Sequence, residues 1–211
     1  MDLPVDSLLY VIGLGAVATM AAAGVLEAGR KPFDLFGMVV VALAASLGGG
    51  SLRDVLLDRP VFWVADQTYL IAALIAALLT FFLARLFILP VRLFLIPDAA
   101  GLALFTISGT KLALLSGAPW LVASFMGVIT GVVGGILRDV LCNEEPLVFQ
   151  GPLYATAAWL GALAFLGLAA WGIDANHAAI AAGIGIFVLR LIAIRWDIGL
   201  PRFRARPTRD T

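Results

Sequence analysis

Seven long, nearly uninterrupted apolar blocks leave this chain few ways to fold: Leu8 to Glu27, Leu35 to Val55, Tyr69 to Leu89, Asp98 to Leu115, Trp120 to Leu141, Leu153 to Ala170 and Ala178 to Ile194. Each approaches the roughly 20 residues that a helix needs to cross a bilayer's hydrocarbon. Only 13% of the residues are charged, against roughly 25% in an average soluble domain, so a water-facing surface would lack material. The expected fold class is an all-α membrane protein with seven transmembrane helices. The short connections collect the breakers Pro32, Pro60, Pro90, Pro97, Pro119, Pro146 and Pro152. A single transmembrane domain is expected over residues 1–199, with a basic tail over residues 200–211. The acidic start lacks the basic region of a cleaved signal peptide, so the first span is expected to be retained.

Within this pattern lies a repeat offset by 85 residues. Leu52-Arg53-Asp54-Val55-Leu56 recurs letter for letter as Leu137-Arg138-Asp139-Val140-Leu141, each copy following a glycine cluster. In the same register Gly24 matches Gly109, Tyr69 matches Tyr154, and Gly49 with Gly50 match Gly134 with Gly135. Each unit holds three spans. An odd number of crossings starts the second copy on the opposite side of the membrane, so the halves are inverted about an axis in the membrane plane. Repeat one is expected over about residues 8–90, repeat two over about 97–171, and an unpaired seventh helix over about 178–195.

Basic residues set the expected orientation. Arg30, Lys31, Arg85, Arg92, Arg190, Arg195, Arg202, Arg204, Arg206 and Arg209 fall on one side, against Arg59 and Lys111 on the other. Short basic loops stay inside, which puts the C-terminus in the cytoplasm and the N-terminus outside. The same rule accounts for the tail, which also suits anionic lipid and calls for no nucleic acid.

The candidate functional residues are the two glycine and Arg-Asp clusters. Gly48, Gly49, Gly50 and Ser51 precede Arg53 and Asp54; Gly131, Gly134 and Gly135 precede Arg138 and Asp139. Glycines at these positions permit either close helix packing or a break whose freed carbonyls line a wet path. Four charges toward the ends of apolar spans need partners, hydration or access to the interface. Because adjacent helical residues point about 100° apart, pairing is expected across the repeats, Arg53 with Asp139 and Arg138 with Asp54. Lys111 is either a snorkelling residue or a cation beside an outer vestibule. Glu27, Asp66 and Asp98 read as helix-end or vestibule charges, and His177 as an interfacial histidine. No nucleotide loop, zinc motif or nucleophile elbow occurs, so neither enzyme chemistry nor a cofactor is expected.

The duplicated Gly-Gly-Gly-Ser-Leu-Arg-Asp at 48–54 and Gly-Gly-Ile-Leu-Arg-Asp at 134–139, with their three-span spacing, resemble the prokaryotic trimeric intracellular cation (TRIC) channel family. Its sequences are also grouped as YicG-like or UPF0126 and sometimes labelled glycine transporters. The resemblance implies a homotrimer in the cell inner (plasma) membrane, surrounded by membrane lipids, with a pore in each subunit. Monovalent cations would pass, potassium and also sodium, along a path shaped by kinked second and fifth spans. It also leaves a secondary transporter of a small solute such as glycine as the alternative. The second copy departs from an uninterrupted triple glycine at Val132 and Val133.

Overall fold

The computed structural model describes residues 7–87, 90, 92–150 and 153–201. Its helices are α1 (Ser7–Ala28), α2 (Leu35–Leu56), α3 (Phe62–Ala65), α4 (Thr68–Leu86), α5 (Leu95–Leu115), α6 (Trp120–Leu141), α7 (Leu147–Gln150), α8 (Ala155–Ala170) and α9 (Ala175–Trp196). Polar residues in the connections set several of the ends. The Asp34 carboxylate accepts the Gly37 N–H at 2.7 Å to begin α2, and Asp174 accepts the N–H groups of Asn176 and His177 to begin α9. Asp58 and Asn143 take left-handed φ angles of 51° and 52° just beyond α2 and α6, a conformation these residue types tolerate. Of the expected basic tail, residues 202–211 lie outside the described residues.

Among the described residues, six helices are long and apolar enough to span a membrane; α8, with 16 residues, is shorter. The distribution of polarity is that of a multi-span membrane protein. Helix α4 buries only Ala73 and Ala77 and turns Ile71, Ile75, Leu79, Phe82 and Leu83 outward. Helix α5 buries Asp98, Thr106, Ser108, Thr110 and Lys111. Apolar groups face out and polar groups face in, as lipid requires.

The repeat is built into the helices. Both ends of α6 lie 85 residues after those of α2, and both ends of α7 lie 85 after those of α3. Helices α1, α2, α5 and α6 pack together at the centre, α4 rests on α1 and α2, α8 rests on α5 and α6, and α9 packs on α5 and α8. Loop contacts repeat as well: Lys31 Nζ donates to Glu144 Oε1 at 2.7 Å, and the matching pair, Arg59 Nη1 and Ser116 Oγ, lies at 3.3 Å. Lys31 holds the Glu144 carboxyl below the usual range, so this bridge is charged at neutral pH.

The glycine clusters do something other than break helices. Both α2 and α6 run as unbroken α-helix through residues 48–50 and 131–135, so of the two readings the sequence left open, close packing and a break, the break does not form. Their carbonyls keep helical partners, and the missing side chains bring two backbones together instead. A Cβ on Gly49 would collide with the Thr130 carbonyl oxygen, and one on Gly134 with the Ala45 carbonyl oxygen. These symmetry-related contacts run antiparallel, since residue 49 meets 130 while residue 45 meets 134. Gly127 and Gly131 serve α5 in the same way, against Thr106 and Thr110.

Adding a methyl group at the α2–α6 crossing therefore forces backbones apart. Gly49→Ala and Gly134→Ala should each destabilise the protein by about 1–3 kcal/mol, measured by unfolding in detergent. Gly185→Ala, with open space at its Cβ, should cause no loss. Gly172→Ala, also with open space at its Cβ, should still cost stability, because a φ of 84° strains any side chain.

Candidate functional site

Each Arg-Asp motif closes on itself. Arg53 Nε and Nη2 lie 2.9 and 2.8 Å from Asp54 Oδ1, and Asp54 Oδ2 accepts the Phe62 N–H at 2.9 Å. Arg138 Nε donates to Asp139 Oδ1 at 2.8 Å, and Asp139 Oδ2 accepts the Leu147 N–H at 2.9 Å. The pairs expected across the repeats, Arg53 with Asp139 and Arg138 with Asp54, do not form. In the antiparallel register Arg53 is level with residue 126 of α6, so Asp139 lies 13 residues further along, roughly 20 Å away. The adjacent pair succeeds because a guanidinium on its flexible stem curls across the angle between neighbouring side chains. One carboxylate oxygen then neutralises the arginine, and the other caps the turn into α3 or α7.

Around this shared core the halves differ. In repeat two Asp98 is fully buried and its Oδ1 accepts from Arg138 Nη1 at 2.6 Å and from the Tyr154 hydroxyl at 3.1 Å. Arg190 of α9 adds a second cation, its Nη2 3.8 Å from Asp98 Oδ2, with its guanidinium 4.5 Å from the centre of the Tyr154 ring and Nη1 donating to the Leu153 carbonyl. Asp98 thus lies in the first turn of α5, as a helix-end charge, but turned inward as a buried counter-ion. Arg190, counted in the sequence among the basic residues that set orientation, belongs to the same buried cluster. Gly135 leaves room for this arrangement, since a Cβ there would lie 2.6 Å from the Tyr154 hydroxyl.

Repeat one has Gly13 where repeat two has Asp98. A cavity of about 440 Å³ opens there, lined by Gly13, Arg53, Asp54, Arg59, Asp66 and Tyr69 among others. Tyr10 donates to Asp66 Oδ2 at 3.1 Å. Hydrogen bonds from Thr68, with a further one from Tyr10, hold the Asp66 carboxyl below its ordinary range and keep it anionic at neutral pH.

Of the candidate glycine, serine, Arg-Asp and Lys111 positions, only Arg53 and Asp54 line this cavity, together with the vestibule charge Asp66. Gly48 packs toward Leu137 and Gly50 toward the Phe62 ring, while Ser51 accepts the Trp63 indole N–H at 2.9 Å. Lys111 donates to Asn176 Oδ1 at 2.8 Å beside the start of α9. Glu27 is buried and accepts from Arg30 at 2.6 Å, whereas His177 is exposed and bonded to Asp174. Sequence reasoning missed Gly13 and the roles of Asp98, Tyr154 and Arg190. The available signal was the 85-residue register, which sets Gly13 opposite Asp98. Among the described residues no group of His, Cys, Asp or Glu is placed to hold a metal.

Comparison with known proteins follows the same internal division. A family model described as Glycine transporter matches twice, over residues 8–85 and 95–170. A UPF0126 membrane protein of Vibrio cholerae is 42% identical over 93% of this chain and 83% of its own length. The crystal structure of the TRIC trimeric intracellular cation channel orthologue from Rhodobacter sphaeroides matches 90% of this chain and 99% of that one, with a TM-score of 0.86 and 38% identity. The chain belongs to the UPF0126/TRIC family. The UPF0126 inner membrane protein YadS of Escherichia coli K12, 39% identical over 93% of this chain and 96% of its own, is a further relative. Membership is in a class of membrane proteins and not of enzymes.

The observed pairing makes a direct energetic prediction. Asp98→Asn should destabilise the protein by about 3–5 kcal/mol, because it leaves buried Arg138 and Arg190 with too few counter-charges. Double-mutant cycles on unfolding in detergent should show coupling between Arg138 and Asp98, and additivity within about 0.5 kcal/mol between Arg53 and Asp139.

Proposed function

We propose that this protein is a monovalent cation channel of the inner membrane that works as a homotrimer, each subunit carrying its own pore. The observation that carries the reading is the structural match along nearly the whole chain to the Rhodobacter sphaeroides cation channel orthologue. The cavity in repeat one supports it, since Asp54, Asp58 and Asp66 outnumber Arg53 and Arg59 along its wall and favour cations at one entrance. On this reading the path runs from that cavity past the Arg53 and Asp54 pair, between α1, α2, α4 and α5, toward the Arg138 cluster. Potassium is the proposed physiological ion, with sodium also permeant. The glycines of α2 and α6 hold the two halves close so that a narrow path persists between them.

The proposed topology has seven spans, with α8 the sixth and α9 the unpaired seventh, the N-terminus outside and the C-terminus cytoplasmic. The domain comprises residues 1–199, with repeat one over about 8–90, repeat two over about 97–171, and the basic tail over residues 200–211 inside the cell. Lys111 sits toward the outer face on this topology, where its charge would tune entry. A second reading, secondary transport of a small solute, is favoured by the family description matched in both repeats and by one half being open while its mate is filled.

Electrical recording from the purified protein in planar bilayers under a potassium gradient separates the two. Discrete unitary currents reversing near the potassium equilibrium potential are expected, and Asp54→Asn should lower unitary conductance more than Arg204→Gln does. Saturable solute uptake into liposomes with no unitary current would favour the transporter.

A further inference from the structure

We infer that the cavity of repeat one is a binding site for a small monocarboxylate, with Arg53 and Tyr69 as the groups that receive it. Repeat two shows what such an occupant looks like. There the same motif, displaced by 85 residues, already holds a carboxylate: Asp98 accepts from the outer guanidinium nitrogen of Arg138 and from the Tyr154 hydroxyl. Arg53 and Tyr69 are the repeat mates of Arg138 and Tyr154, and Gly13 is the mate of Asp98. The arginine and the tyrosine that receive the carboxylate are therefore present in both halves, while the carboxylate side chain and the second cation beside it, Arg190 of α9, are present in one.

The neighbourhood of Gly13 fits that vacancy. A Cβ built on Gly13 would lie 3.2 Å from the Tyr69 hydroxyl, which places the missing side chain beside that group. Arg53 is 5% exposed, lines the cavity, and spends Nε and Nη2 on Asp54. Its Nη1, the counterpart of the nitrogen that Arg138 gives to Asp98, makes no hydrogen bond or ion pair among the described residues; nor does the Tyr69 hydroxyl. One guanidinium nitrogen with a phenol beside it matches the two donors that Asp98 Oδ1 accepts from in repeat two.

The remaining lining narrows the ligand. The cavity volume of about 440 Å³ is within the usual range for small-molecule sites. Asp58 and Asp66 also face it, so a dianion such as phosphate meets about twice the repulsion of a single carboxylate. A carboxylate bearing its own ammonium group gains from the same two acids. Acetate and glycine are thus the two probes, one a plain anion and one a zwitterion with the same binding group.

The test is thermal unfolding of the full-length protein in detergent with sodium acetate or glycine, against sodium chloride at matched ionic strength and methylammonium chloride. A saturable rise in unfolding temperature with acetate, glycine or both is expected, and none with methylammonium. Tyr69→Phe should weaken the apparent affinity about tenfold by removing one hydrogen bond to a charged group. Gly13→Asp should supply the carboxylate from within and abolish the response while the protein stays folded, as repeat two does with Asp98. Absence of any response in the wild type overturns the inference, as does an unchanged affinity in Tyr69→Phe or a wild-type response in folded Gly13→Asp. If Gly13→Asp does not fold, Tyr69→Phe decides. Binding is read without ion flux, so a failure here leaves the bilayer recordings as a separate judgement on the channel.

Discussion

The structure depends on neutralising charge locally inside a medium that cannot hydrate it. Arg53 and Arg138 stand near the ends of apolar helices, are almost wholly buried, and are each held by the aspartate next in sequence. A buried arginine without a partner costs several kcal/mol, far more than the small penalty of curling one flexible side chain back on its neighbour. The same aspartate caps a backbone N–H eight residues on, in Phe62 or Leu147, so charge pairing and chain reversal are fixed by one residue. Leu-Arg-Asp is in this sense a terminator for a membrane helix. Its duplication gives the two halves matching ends at α2 and α6.

Between those ends the antiparallel glycine crossing sets how closely the halves approach, and the occupant of one position sets how they differ. Asp98, Arg138, Arg190 and Tyr154 form a filled cluster in repeat two. Gly13, Arg53 and Tyr69 leave repeat one with an open cavity. An inverted repeat with identical halves would offer similar features to both sides of the membrane. Filling one half gives the molecule a direction, a property useful both to a channel with distinct inner and outer mouths and to a transporter.

Much of the architecture was legible because it is written in features that survive without coordinates. Long apolar blocks fix helices in lipid, and the repeated pentapeptide fixes the register of the halves. Ion-pair partners were not legible. Expecting Arg53 to seek Asp139 ignored that α2 and α6 pack antiparallel, which sends the two motifs to opposite ends. The place of Asp98 at the start of α5 was legible, but nothing in the sequence shows that its carboxylate turns into the core. Its significance, like that of Gly13, shows only when the two halves are laid over each other and the Tyr69 and Tyr154 match is given a geometry. The glycines left close approach and a break both open in the sequence, and their helices stay whole because tertiary contact, not bending, uses the missing side chains.

The claim that one half is open and its mate filled can be tested most directly with a pair of cysteines at one repeat position. Ser108 lines the cavity, and its mate 85 residues earlier, Ala23, is fully buried. In a Cys142→Ala background, Ser108→Cys and Ala23→Cys should be treated with a small membrane-impermeant thiol reagent on each side in turn. The account predicts modification at position 108, slowed by its 3% exposure, from one side only and none at position 23 from either. Equal reactivity at both positions, or protection of both, would contradict it.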